Sequence, residues 1–163
     1  MLEAAQEFAS GNASYRLLTL VGRNGCGKSH LLEAIARASL TRGEVVKYEF
    51  CPMLLDVLRN SYDPESEANY ERVYGRYDSA DLLVLDDLGA GRVTPWAREK
   101  LEMLIDNRYS GHGRLAIATN LRLDQMAQAL GPRITDRVFD GRSGTVRVVV
   151  SAAASYRTGQ RWN

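Results

Sequence analysis

The sequence predicts an α/β domain, a five-stranded parallel sheet covered by helices on both faces. Three observations carry this. Short apolar runs recur along the chain, and stretches with helical spacing separate them. Several of the runs are continuously apolar rather than alternating, which marks strands buried on both faces, as parallel strands are. A glycine-rich segment, GRNGCGKS (22–29), joins the first run to the first helical stretch. At 163 residues, the chain is expected to form one domain spanning 1–163.

The elements follow in order. Leu17–Val21 (LLTLV) is the first strand and ends at Gly22. Ser29–Leu40 reads as a helix, with Leu31, Leu32, Ile35 and Ala36 on one face. Glu44–Phe50 (EVVKYEF) is the second strand. A helix starts in Met53–Leu58, and a more polar one covers Glu65–Tyr77. Leu82–Leu85 (LLVL) is the third strand, flanked by acids. Pro95–Tyr109 is a strong helix: proline suits a first turn, and Ala97, Leu101, Leu104 and Ile105 share a face. Leu115–Ala118 is the fourth strand, Leu123–Leu130 a short helix closed by Gly131-Pro132, and Thr145–Val150 (TVRVVV) the fifth strand.

The segment Gly22-Arg23-Asn24-Gly25-Cys26-Gly27-Lys28-Ser29 fits G-x-x-x-x-G-K-[ST], and it sits where that pattern must sit, after a strand and opening a helix. A helix N-terminus has unpaired N–H groups and a positive dipole end, which suit phosphate. Glycines let the backbone close around phosphate oxygens. Lys28 can reach the terminal phosphates, and the Ser29 hydroxyl can ligate Mg²⁺. The third strand runs into Asp86-Asp87. Ligands bind at strand carboxyl ends in such sheets. Asp86 is therefore expected to hold Mg²⁺, and Asp87 to orient or deprotonate the attacking water. The fourth strand exits through Thr119-Asn120, and the Asn120 amide is a candidate for positioning that water. The guanine-reading pattern N-K-x-D does not occur, which favours ATP or a permissive site.

Composition excludes other classes. The first twenty residues hold Glu3, Glu7 and Arg16, with no basic-then-apolar order, so no signal peptide is read. No apolar run is long enough to span a membrane. Cys26 and Cys51 make no disulfide framework, and with His30 and His112 they make no zinc motif, which fits a reducing cytoplasm. Charge is uneven: residues 52–113 carry seven Lys/Arg against twelve Asp/Glu, whereas 114–163 carry eight arginines against three acids. An acidic middle and a basic end suit head-to-tail self-association, an anionic partner, or simply solvated faces.

Five segments together resemble the AAA+ ATPase domain of bacterial replicative helicase loaders of the DnaC/DnaI type. They are GRNGCGKSHLLEAIA (22–36), ADLLVLDDLGAGRVTPWAREKLEMLIDNRY (80–109), IATNL (117–121), GPRITDR (131–137) and SYR (155–157). The second is the most specific, with its DDLG, proline-started helix and DNRY. The ATP-binding subunits of insertion-sequence transposition, the IstB type, share most of these features. The resemblance implies ATP and Mg²⁺ as cofactors, with Gly22, Asn24, Gly25, Cys26, Gly27, Lys28 and Ser29 at the nucleotide. It makes Asp86 and Asp87 the Walker B pair and Asn120 the sensor 1 residue. It makes Arg137 an arginine finger reaching a neighbour's ATP, and Arg157 the sensor 2 arginine. Left to the residues alone, Arg133 and Arg137 would bridge to Asp136 or Asp140, and Arg157 would lie in a frayed tail.

The implied function is ATP hydrolysis, weak in a lone subunit, during loading of a hexameric replicative helicase onto single-stranded DNA. An IstB-type accessory role in DNA transposition is the alternative, and a nucleotide-dependent switch with little hydrolysis is a third reading. Family relatives place a DNA-facing insertion at 52–77, where Arg59, Tyr62, Arg72 and Arg76 are candidates against an acidic local balance. Two departures stand out. Asp87 occupies a position often held by Glu, and no helicase-gripping segment is read ahead of the ATPase core. No separate helical lid is expected after the fifth strand.

Overall fold

The computed structural model describes residues 1–62, 67–91, 93–153 and 156. Its five strands are β1 (Leu17–Val21), β2 (Val46–Phe50), β3 (Leu82–Asp86), β4 (Arg114–Thr119) and β5 (Val146–Val150). They form one sheet in the order β2-β3-β4-β1-β5, and every pairing is parallel. Among the described residues seven helices accompany them: α1 (Leu2–Ala9), α2 (Lys28–Thr41), α3 (Cys51–Ser61), α4 (Glu67–Asp78), α5 (Pro95–Tyr109), α6 (Leu123–Leu130) and α7 (Pro132–Phe139).

The period of two along each central strand divides the core. Leu83, Leu85, Leu115 and Ile117 face one side, where α3 to α7 pack. Leu18, Leu20, Leu82, Val84, Ala116 and Ala118 face the other, beneath α1 and α2. The expected helices on both faces are present, five on one side and two on the other. The alanines Ala116 and Ala118 leave room for α2 to settle close to the sheet with Leu32, Ile35 and Ala36.

Local chemistry sets the boundaries. Thr94 caps α5, accepting the Ala97 N–H at 3.2 Å, and Pro95 opens its first turn. Gly131 ends α6 and begins α7 at φ 88°, ψ 166°, a conformation open in practice to glycine alone, and Pro132 then starts α7. The second strand starts at Val46 rather than Glu44, because the turn after α2 draws the Glu44 N–H back to the Ser39 carbonyl. The first helix was not foreseen. Ala4, Ala5 and Phe8 bury one face of it, and the guanidinium of Arg114 stacks on the Phe8 ring at 5.1 Å while donating to the Phe8 carbonyl at 2.9 Å.

Arg108 is fully buried. Its guanidinium donates to the carbonyls of Tyr77 and Ala80, and to that of Asp78 at 2.9 Å. These lie in and just beyond the last turn of α4, where carbonyls have no helical partner and the dipole end is negative. Burial lowers the Arg108 pKa from its ordinary value. The neighbouring Asn107 donates to Asp78 at 2.8 Å. Replacing Arg108 with Met keeps the stem and removes the donor from two buried carbonyls and one half-buried one. Urea unfolding of Arg108→Met is expected to show a loss of about 3 kcal/mol or more. An unshifted midpoint would show that the guanidinium adds nothing to the joint.

Candidate nucleotide site

The three central strands end side by side. Val21 on β1 pairs with Thr119 on β4, and Leu85 on β3 pairs with Ile117 two residues earlier on β4. Thr119, fully buried, joins all three exits. Its carbonyl accepts the Gly22 N–H at 3.1 Å, its hydroxyl donates to the Leu88 carbonyl at 2.8 Å, and its hydroxyl oxygen accepts the Leu121 N–H at 3.1 Å. The Leu88 N–H closes the arrangement on the Ala118 carbonyl at 2.9 Å. Sequence reasoning passed over Thr119, since a Thr-Asn strand exit is common.

From Gly22 the chain turns tightly. A Cβ on Gly22 would lie 2.7 Å from the Cys26 Sγ and 3.1 Å from the Ser151 Cβ, so the loop packs here only with glycine. Gly25 and Gly27 adopt φ of 81° and 94°. Gly27 stands at the start of α2, which has no side-chain cap, leaving its first amides to a ligand or to water. Lys28 is 93% buried (7% exposed). Its ammonium donates to the Gly22 carbonyl at 2.7 Å and the Arg23 carbonyl at 2.9 Å. The lysine thus lies folded against its own loop.

Asp86 ends β3, and its Oδ2 accepts the Tyr48 hydroxyl at 2.9 Å. Asp87 leaves the strand at φ 58°, the one non-glycine residue with positive φ among the described residues. This left-handed turn costs on the order of 1 kcal/mol, and Asp tolerates it better than most residues. The Asp87 carboxyl is pushed above its usual range, first by burial and then by the Asp86 charge, with Lys28 pulling the other way. Asn120 meets the phosphate loop through Asn24, with Nδ2 3.5 Å from Oδ1, the outer limit of a hydrogen bond.

The phosphate loop and the two acids border a cleft of about 830 Å³, of ligand-binding size, whose lining includes neither Gly22 nor Asn120. Asn24, Gly25, Cys26, Gly27, Lys28 and Ser29 line it together with Asp86 and Asp87. Met1, Leu2, Phe50 and Tyr156 add apolar and aromatic wall that the sequence reading did not assign. The apolar spacing of Ala4, Ala5 and Phe8 was the available signal for the helix that brings Met1 and Leu2 there. The Tyr156 N–H donates to the Gly25 carbonyl at 3.0 Å. Arg157 lies outside the described residues. Both cysteines are free. Ser29 and Asp86 offer hard oxygen donors, and among the described residues no three His, Cys, Asp or Glu gather as a cage. That donor set fits Mg²⁺, which takes one or two protein oxygens and completes its octahedron with phosphate and water.

Arg137 is absent from the cleft lining. It lies on α7, where its Nε donates to Asp106 at 3.0 Å and its guanidinium stacks 4.5 Å from the Tyr109 ring centre. The Asp106 hydrogen bond raises its pKa further. Arg133 bridges to Glu102 at 2.9 Å and to Asp106 at 2.6 Å. The bridging partners are thus on α5, not at Asp136 or Asp140 as spacing suggested. The α7 helix packs across α5, and that tertiary contact outcompetes the local one. In the 52–77 region Arg59 pairs with Asp56 and lies 5.7 Å from the Trp96 ring centre. Tyr62 packs edge-on against Tyr70, Arg72 donates to Asn69, and Arg76 is exposed. No helix among the described residues is long and apolar enough to cross a membrane.

A family model described as IstB-like ATP binding protein matches residues 8–163. The chain is 27% identical over 138 residues to the replicative helicase loader DnaC of Escherichia coli, covering 85% of this chain and 55% of DnaC. It is 32% identical over 117 residues to the uncharacterized protein YdaV of Escherichia coli, covering 72% of this chain and 46% of YdaV. The chain therefore spans about half the length of these curated relatives. Among solved structures, that of the DnaC helicase loader matches with a TM-score of 0.73 at 24% identity, over 91% of this chain and 86% of that one. The replication initiator DnaA bound to AMPPCP and single-stranded DNA matches with a TM-score of 0.76 at 21% identity, over 90% of this chain and 44% of that one. The fold is that of the AAA+ P-loop NTPases.

Thr119→Val keeps the shape of the strand exit and removes the hydroxyl. The Leu88 carbonyl and Leu121 N–H then lose their partner, and stability is expected to fall by about 1–3 kcal/mol in urea unfolding. Thr119→Ser, which retains the hydroxyl, should lie much closer to the parent. Equal midpoints for all three proteins would remove the hydroxyl from this account.

Proposed function

Since the chain belongs to the IstB-like ATP binding protein family, we propose that it binds and hydrolyses ATP with Mg²⁺ as a helicase-loader ATPase in DNA replication. The observation that carries this is the meeting of the Lys28–Ser29 loop end with Asp86 and Asp87 in one cleft. In this reading the glycine loop and the start of α2 hold the phosphates. Lys28 exchanges its two loop carbonyls for phosphate oxygens. Ser29 and Asp86 hold Mg²⁺, which neutralises charge on the phosphates. Asp87 takes the proton of the attacking water, and Asn120 orients that water from the end of β4.

Arg137 completes the site in trans. Its place on α7, with no part in the cleft lining, supports service to a neighbouring subunit. Arg157 is assigned to the nucleotide of its own subunit by the resemblance alone. The partners in this reading are a hexameric replicative helicase, single-stranded DNA and further copies of the chain, associated head to tail in the cytoplasm. Similarity to DnaC favours the helicase. The family description favours a second reading, an accessory ATPase for DNA transposition. Co-purification with a helicase hexamer rather than a transposase separates the two.

Three variants test the site. Lys28→Ala is expected to abolish thermal stabilisation by Mg-ATP; parental stabilisation would remove the loop from nucleotide binding. Asp87→Asn suits the same left-handed turn and should still bind ATP while hydrolysis falls by about 100-fold or more. Unchanged turnover in this variant moves the base elsewhere. Arg137→Ala should bind ATP and turn over about 10³-fold more slowly or less still. Mixed with Lys28→Ala, which keeps Arg137, it should regain activity that rises with protein concentration. Mixtures that associate yet stay inactive would leave Arg137 as a bridge to Asp106 only.

A further inference from the structure

The Tyr48–Asp86 contact has no part in the site as described. Tyr48 is the third residue of β2, an edge strand, and pairs in register with Val84, while Phe50 pairs with Asp86. Alternation therefore puts Tyr48, Val84 and Asp86 on the face of the sheet that carries α2. The Tyr48 ring packs against the core on that face, beside Leu31 and Val46. Its hydroxyl reaches along the sheet to the end of the neighbouring strand and donates to Asp86 Oδ2 at 2.9 Å. A phenol is protonated at neutral pH, so the Tyr48 hydroxyl is the donor and the Asp86 carboxylate the acceptor.

A carboxylate at a strand end can swing about two side-chain torsions. Tying one oxygen to a ring that is itself packed removes most of that freedom. A carboxylate has about four lone-pair sites, and this bond uses one. We infer that Tyr48 is a positioning residue that fixes the Asp86 carboxylate for a divalent cation bound together with ATP. The inference rests on the reading of Asp86 as the metal carboxylate. Hydrogen-bond partners of metal-ligating carboxylates typically contribute 10–100-fold in metal affinity.

The test is the Mg²⁺ dependence of nucleotide binding, read by fluorescence of a labelled ATP analogue without turnover. Tyr48→Phe keeps the ring and removes the donor. Its half-saturating Mg²⁺ concentration is expected to rise about 10-fold. Its nucleotide affinity in EDTA and its urea midpoint should stay near those of the parent protein. Asp86→Asn should shift the Mg²⁺ dependence further. Parental Mg²⁺ dependence in Tyr48→Phe, alongside a shift in Asp86→Asn, overturns the inference and leaves Asp86 as the metal ligand. Loss of affinity in EDTA equal to that in Mg²⁺ also overturns it, since the ring would then be shaping the pocket at large. Flat Mg²⁺ dependence in both variants removes the metal role of Asp86 and this inference with it.

Discussion

Thr119 carries the geometry of the cleft. One side chain and one carbonyl bind the start of the phosphate loop, the backbone beyond Asp87 and the turn after Asn120. Thr119 is fully buried and its bond to the Leu88 carbonyl lies in the interior, where an unmade hydrogen bond is expensive and a made one is strongly directional. A strand slip of one residue on either side of β4 would break them together and send the neighbouring side chains to the opposite face. The register of β1, β4 and β3 is therefore also the relative placement of Lys28, Asp87 and Asn120.

Electrostatics adds a second constraint. Asp86 and Asp87 are adjacent acids at the mouth of a sheet, and the Asp86 charge adds to burial in raising the Asp87 pKa. The chain separates them by geometry. Asp86 stays on the strand and meets the Tyr48 hydroxyl. Asp87 turns off it through a left-handed residue and carries the raised pKa. Lys28, whose charge acts on Asp87, is itself held by two carbonyls. The cleft holds its charges on strained or borrowed contacts.

Much of this was legible in the sequence, and the exceptions share a cause. The fifth helix begins and ends where Pro95 and its apolar face said it would. The phosphate loop and the acids after the third strand carry local patterns, so spacing alone located them. The first helix escaped notice because it has no side-chain cap and only two turns of apolar spacing. Thr119 and Tyr48 escaped because their roles lie across strands, in registers that no local window contains. The Arg133 and Arg137 partners were misjudged for the same reason: nearness along the chain pointed to Asp136 or Asp140, while helix packing delivered Glu102 and Asp106.

The tetrapeptide Asp106-Asn107-Arg108-Tyr109 made the resemblance specific, yet none of its residues lines the cleft. Asn107 and Arg108 fasten the end of α4, Asp106 grips both arginines of α7, and Tyr109 supports Arg137 while donating to Asp140. One part of the most specific segment in the chain thus spells a joint between three helices. Descendants that lost their lysine or their acids would still need that joint to fold. A search keyed on it would gather working enzymes and silent relatives alike, and only the loop and the acids could tell them apart.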